Sequence, residues 1–392
     1  LAWWIVREQI EHLNLKDYRR QAAKLRSTLE EEIGDLYRTR CVIDGNPDAQ
    51  AKYFLWVKTM KCEECHNSID MFPGYLVAEN VRHPRNVIAC AQCGELAEVQ
   101  NRKEPGKCKV CATALQLSGT VSYGVCTCPL CGKKHKIPGS RTVPFEHRLF
   151  AIEYTHPDCR KPHEGRFFKK PDADDLKRVE SAKIALKQLR PEFIPDDLIP
   201  DGDETARLHR WGYRRYREMF NDRQLLGLEK SCRLIRAIED VRVRKALATN
   251  LSDLLRYQNM LCRYDTMALK SLDIFSVHGF PVGLVHVESN LLGVVNPSTG
   301  YPVGSGGWHN IIEKYAKAKE YCEAPFEIRH TNGGKESVPM VDEWIGEFRN
   351  GKRTPESRYV RVECGDSALR EISPESLDAV LTDPPYYGNV QY

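Results

Sequence analysis

A chain of 392 residues, 41% hydrophobic and 29% charged, has enough apolar matter to bury at least one core and is long enough for two or three units, which excludes wholesale disorder. Its formal charge of +4 is too small to name a nucleic-acid partner, so any such contact rests on local clusters. No secretory pattern and no apolar run of membrane-spanning length is visible, and the expected setting is cytoplasmic, away from membranes.

Near the start, Leu1, Trp4, Ile5, Ile10 and Leu13 follow helical spacing, and Leu25, Leu29, Ile33 and Leu36 predict a second helix from Asp17 to Leu36. From Tyr53 to Arg141 short apolar runs alternate with cysteine-bearing turns, a pattern of small strands with little core of their own. Asp174 to Leu189 predicts a helix that Pro191 and Pro195 interrupt. Leu208, Trp211, Arg215 and Met219 then share helical spacing. Asn221 followed by Gln224 supplies a capping-box signal for another helix, carrying Leu225, Leu228, Cys232, Ile235 and Ile238. Val243 to Arg263 and Trp308 to Cys322 read as further helices, separated by a glycine-bearing stretch, Phe275 to Gly307, suited to strands or long loops. At the end, YVRVECGD and SLDAVLTDPPYYGN each read as a strand delivering an acidic residue at its carboxyl end, the geometry of an open α/β crevice.

Fifteen cysteines occur in the chain, and nine lie between Cys62 and Cys131. Eight of these form the pairs Cys62/Cys65, Cys90/Cys93, Cys108/Cys111 and Cys128/Cys131. Two thiolates separated by two residues approach one ion, and four close a tetrahedral zinc site with no open coordination position. The economical solution is two structural zinc ions. A nested pairing is favoured, with Cys90, Cys93, Cys108 and Cys111 inside a group of Cys62, Cys65, Cys128 and Cys131; sequential pairing is the alternative. Cys126, beside Cys128, is read as an edge-strand residue in preference to a substitute ligand. Cys159, between His156 and His163, is left out of the ligand set.

The tetrapeptide Asp383-Pro384-Pro385-Tyr386 carries the catalytic signal. Its prolines restrict the backbone and aim a carbonyl, Asp383 accepts a hydrogen bond from an exocyclic amine, and Tyr386 offers a flat face for an extruded base. The same four residues also make rigid surface turns in proteins without this chemistry. Adenine N6 is a poor nucleophile, so orienting it against the sulfonium methyl of S-adenosylmethionine is the reaction such a motif serves. Asp366 is read as an acceptor for the adenosyl part of the cofactor or as a helix cap. Gly388 and Asn389 are expected at the pocket rim, and Cys364 as a buried strand residue.

Taken with the cysteine pairs, Trp3-Trp4, GRFFKKPDADD, RLHRWGYRRYREMFNDRQL and LDAVLTDPPYYGNVQY, the chain resembles the zinc-ribbon-containing adenine-specific DNA methylases of bacteria and archaea over nearly its whole length. That resemblance implies an incomplete Rossmann-like α/β methyltransferase fold interrupted by a zinc ribbon and a helical region. Asp383 to Tyr386 then match the amine-binding motif, and Asp366 the acidic position after the preceding strand. It also implies a glycine-rich cofactor loop before Leu1 and further strands after Tyr392, so that the chain reads as an internal portion of a longer enzyme. The units expected are a helical part of the methyltransferase (1–52), the zinc-ribbon module (53–141), a basic connector and helix (142–200), a helical and mixed DNA-recognition region (201–355), and methyltransferase strands with the terminal motif (356–392).

The expected partner is DNA with a flipped adenine, and restriction or phage-defence partners are a family-level expectation. Arg207, Arg210, Arg214, Arg215, Arg217 and Arg223 are candidate phosphate contacts, with Trp211, Tyr213 and Tyr216 beside them; Arg166, Lys169 and Lys170 form a second basic group. A solvated helical face explains the same pattern. Two other functions stay open: an RNA or cytosine-N4 methyltransferase, and a noncatalytic zinc protein that binds nucleic acid.

Overall fold

The computed structural model describes residues 2–155, 165–277, 279–296, 300–341, 347–348 and 359–382. Helix contributes 30% and strand 24%, so the fold is mixed. The organising element is one long strand, Ala49–Lys61, whose run YFLWV is apolar on both faces. Such a strand needs a layer on each side. Glu146–Thr155 pairs with it antiparallel from Gln50↔Thr155 to Thr59↔Glu146. The opposite edge is shared in series by Arg38–Thr39, Val285–Ser289 and Ser68–Asp70, while Phe167–Lys169 extends the sheet beyond Glu146–Thr155. All these pairings are antiparallel. Two register shifts, at Leu149/Ala151 and Glu153/Tyr154, add local twist, and the sheet curls into a half-barrel.

Alternation along the central strand separates two cores. Phe54 and Trp56, with Leu149, Ile152 and Tyr154, face a helical layer made by Leu15–Ile33, Ala173–Leu189, Asp222–Arg236, Val241–Leu254 and Trp308–Glu323. Tyr53, Leu55 and Val57 face the other way, onto Phe72, Tyr75, Val77, Val87 and Ile88 of the cysteine-bearing region. The shift after Leu149 turns both Phe150 and Ala151 toward this second core. The cysteine-bearing region is therefore an insertion between two neighbouring strands, and one face of the main sheet is its foundation.

Several predicted helices form where expected. The opening helix is Ala2–Ile10. The Asn221 signal is a full capping box: the Asn221 side chain accepts from Gln224 N at 2.9 Å, and the Gln224 side chain accepts from Asn221 N at 3.1 Å. Trp308–Glu323 begins where Gly307 lies against Gly293; a Cβ on Gly307 would stand 2.4 Å from the Gly293 Cα.

Three expectations fail. The helical spacing from Leu208 to Met219 is broken into Ala206–Arg210 and a 3-10 turn, Tyr216–Met219. Gly212 between them adopts φ +89°, and a Cβ there would lie 2.2 Å from the Val143 carbonyl oxygen, so the chain turns instead of continuing. The expected strand at Leu377 to Leu381 is irregular. A strand is held by its neighbours, and among the described residues none pairs with it; Leu377, Val380 and Leu381 remain exposed. Within YVRVECGD only Tyr359–Val360 is a strand, paired parallel with Glu347–Phe348, and Cys364 is exposed rather than buried.

Candidate metal centres and the terminal motif

Each cysteine pair sits in the same turn. The first cysteine's carbonyl accepts from the residue after the second cysteine: His66 N to Cys62 O at 3.0 Å, Gly94 N to Cys90 O at 2.9 Å, Ala112 N to Cys108 O at 3.0 Å and Gly132 N to Cys128 O at 3.0 Å. Those four donors all have positive φ, between 58° and 77°, which curls the chain so that both sulfurs point one way. The turn also occurs at Cys41–Asn46, where Gly45 N donates to Cys41 O at 3.0 Å and Asp44 stands where the second cysteine would be.

The four turns assemble in the nested order. Cys62, Cys65, Cys128 and Cys131 form one group and Cys90, Cys93, Cys108 and Cys111 the other, with the sulfurs of each group within 4.8 Å of one another. The closest approaches are 3.6 Å for Cys62–Cys131 and Cys65–Cys128, 3.5 Å for Cys90–Cys111 and 3.6 Å for Cys93–Cys108. A tetrahedral ion with metal–sulfur bonds of about 2.3 Å requires sulfurs about 3.8 Å apart, so both groups can hold a metal ion of zinc's size. Within each coupled group the shifts divide: Asn67 draws the Cys65 thiol down and Thr113 the Cys111 thiol, while Cys131 and Cys93 are pushed up. The donor set is all thiolate, with no carboxylate or open position for Lewis-acid chemistry. Sequential pairing is excluded by this arrangement.

The two centres are set differently. Cys90 and Cys108 of the inner group are buried in the core against the central strand. The outer group caps the end of that strand, where Cys62 and Cys128 pack with Ile69, Met71 and Phe145, and Cys131 is exposed. Cys126 is buried on Val125–Thr127, the middle strand of a three-stranded ribbon rather than an edge, and is not in the ligand group. On the neighbouring strand Lys134–Lys136, His135 is buried between two exposed lysines, with Nε2 3.3 Å from Cys62 Sγ. Sequence reasoning missed His135; its signal was the alternation Lys-His-Lys beginning three residues after Cys131.

A second buried polar cluster lies under the helical layer. Lys58 is 0% exposed, and its Nζ is 3.0 Å from His147 Nε2 and 3.2 Å from the Tyr213 hydroxyl. No carboxylate pairs with it among the described residues, and burial pushes its ammonium down to about 7. His147 and His286, whose rings lie 5.3 Å apart, are held well below the usual histidine range by burial and then by Lys58. Close by, Arg223 makes two bonds to Glu288, at 2.6 and 2.8 Å, and Glu288 also accepts from Trp56 Nε1 at 2.9 Å and Asn221 Nδ2 at 2.7 Å.

The arginines read as phosphate contacts are largely committed inside the chain. Arg223 is buried on Glu288, Arg215 and Arg217 pair with Asp196 at 2.9 and 3.5 Å, Arg214 donates to the His209 carbonyl at 2.9 Å, and Arg207 donates to the Val282 carbonyl at 3.3 Å. Trp211, Tyr213 and Tyr216 pack into the small core around Leu208 and Met219. Arg210 is exposed. In the second basic group, Lys169 is buried between Asp172 and Asp175, at 2.6 and 2.9 Å, Lys170 donates to the Cys93 carbonyl at 2.6 Å, and Arg166 is half-buried. The arginines and aromatics of 207–223 thus cross-link this stretch to neighbouring segments, with Arg207 and Arg210 still exposed.

Asp366 is exposed and its Oδ1 accepts from Ala368 N at 2.9 Å, opening the turn Ser367–Leu369. Asp383, Pro384, Pro385 and Tyr386, with Gly388 and Asn389, lie outside the described residues, as do His156, Cys159 and His163. No helix among the described residues is long and apolar enough to cross a membrane. Compared with known proteins, the chain matches no family model, no curated protein and no solved structure.

Proposed function

We propose that this chain is the zinc-ribbon and helical portion of an S-adenosylmethionine-dependent DNA methyltransferase acting on adenine N6. The observation that carries the reading is the tetrapeptide Asp383-Pro384-Pro385-Tyr386 directly after the apolar run Leu377 to Leu381. Two four-cysteine groups in the nested order, each able to hold a metal ion, support the resemblance to zinc-ribbon adenine methylases.

In this reading the Asp383 carboxylate and the Pro384 carbonyl accept hydrogen bonds from the adenine amine, and Tyr386 stacks on the extruded base. The sulfonium methyl is the electrophile: the N6–carbon bond forms as the carbon–sulfur bond breaks, and the amine proton passes to solvent. Asp366, whose exposed carboxylate already caps a turn, accepts a hydrogen bond from the adenosyl part of the cofactor. The closed four-thiolate centres organise the fold and take no part in the transfer.

The test uses the complete reading frame, with labelled S-adenosylmethionine and adenine-containing duplexes. The intact protein transfers label to adenine N6, and Asp383→Ala with unchanged circular dichroism lowers turnover by at least a hundredfold. Label on cytosine N4 or on RNA moves the assignment to another amine. Nucleic-acid binding with no transfer by the intact protein leaves a noncatalytic zinc module in its place.

A further inference from the structure

We infer that His135 is a positioning residue for the outer metal centre, donating its Nε2 proton to the Cys62 thiolate and thereby holding that ligand and lowering its reactivity. The inference rests on the outer group holding a metal, which the spacing of its four sulfurs fits.

The geometry is specific to one of the two centres. His135 is 4% exposed, and its Nε2 stands 3.3 Å from Cys62 Sγ, within range for a hydrogen bond to sulfur. A metal-bound thiolate has no proton to give, so the ring nitrogen is the donor. Nδ1 then carries the lone pair. It is buried without a hydrogen-bond partner among the described residues, with the nearest carboxylate oxygen, on Glu63, 3.6 Å away. The buried ring is thus set with Nε2 on the Cys62 sulfur and Nδ1 turned toward Glu63, an orientation that aims one donor at one ligand. The Thr113 hydroxyl, 3.4 Å from Cys111 Sγ at the inner centre, is matched at the outer centre by Asn67 beside Cys65, so the His135 contact to Cys62 is additional to the contacts the two turns share.

The consequence follows from charge. Four thiolates and a divalent ion leave two negative charges on the site, and an N–H bond to one sulfur withdraws electron density from it. Cys62 begins the insertion at the end of the central strand, so loss of that ligand detaches the outer ribbon where it is anchored. Cys131 of the same centre is exposed, which gives chelators access and makes the strength of the remaining bonds decide how fast metal leaves.

The experiment compares wild-type protein with His135→Leu, which keeps the buried volume and removes the donor, and with His135→Gln, which keeps a donor. Zinc content is measured first. Release to a chromogenic chelator is then followed in time, and alkylation of each cysteine is mapped by mass spectrometry. Two ions are expected in wild type. In His135→Leu one of the two leaves about tenfold faster, Cys62 is alkylated earlier, and Cys90, Cys93, Cys108 and Cys111 keep their wild-type protection. In the cobalt-substituted protein the sulfur-to-metal absorption of one centre moves to lower energy, a signature that loss of packing alone does not produce, and His135→Gln moves both readouts back toward wild type. Unchanged release in His135→Leu overturns the inference, as does equal acceleration of both ions, because the residue then acts on the fold as a whole. Wild-type protein without metal at Cys62 removes the premise itself.

Discussion

Replacing Lys58 by methionine isolates the energetic effect of a buried cation that has no anion. In the folded protein the ammonium is pushed from 10.5 to about 7 by burial alone, and each tenfold change in proton affinity corresponds to about 1.4 kcal/mol. Because the folded value is depressed, the unfolded chain binds the proton more readily. Stability contributed through this group is fully present above 10.5, falls as the pH drops toward 7, and is flat below that. The total is on the order of 4 kcal/mol at neutral pH. Methionine fills similar volume but loses the bonds to His147 and Tyr213, which returns about 1–3 kcal/mol as a cost. Lys58→Met is therefore expected to be at least as stable as wild type at pH 7, and that advantage shrinks by about 2 kcal/mol by pH 9. Urea denaturation at pH 7, 8 and 9, with zinc at fixed activity, gives the stability of each protein. The difference between them cancels the pH dependence of the thiolates common to both. A difference that stays constant over that range refutes the reasoning, and one that grows with pH reverses its sign.

Two further outcomes follow from the same geometry. Cys90→Ser removes a ligand buried against the central strand, so it is expected to lose one zinc and lower the thermal midpoint of the whole chain, whereas Cys131→Ser, at an exposed ligand, loses one zinc with a smaller shift; metal analysis and calorimetry together check both. Arg223→Met leaves Glu288 buried without its cation and is expected to cost about 3–5 kcal/mol, while the double variant Arg223→Met with Glu288→Gln recovers part of that loss; equal stabilities of the two variants in urea would rule this out.

Much of the local structure was legible because it is written in short spacings. The capping box at Asn221 and Gln224, the helix after Gly307 and the four cysteine turns each depend on residues within a few positions of one another. The nested pairing was legible for a related reason, since the short stretch between Cys93 and Cys108 favours a compact inner unit. What stayed hidden was long-range. Nothing within YFLWV says that the strand begins at Ala49 and is central to a sheet whose other members lie at Glu146–Thr155 and Val285–Ser289, because its partners are roughly a hundred and more than two hundred residues away. Arginine-rich spacing at 207–223 cannot by itself distinguish phosphate from internal carboxylates and carbonyls, and here Asp196, Glu288 and several backbone oxygens take the guanidiniums. The fate of Leu377 to Leu381 belongs with these cases: an apolar alternation becomes a strand only where another strand is alongside.

The long excursion from Lys61 to Glu146 also has a kinetic consequence. Two hydrogen-bonded neighbours in the main sheet are joined by some eighty residues that carry both four-cysteine groups, and closing so long a loop while it is loose slows the pairing of its ends. Metal capture shortens the effective tether before the strands meet, so refolding is expected to proceed in two stages and to speed up as free zinc rises. A refolding rate that does not change with free zinc would show that the strands meet without help from the two cysteine groups.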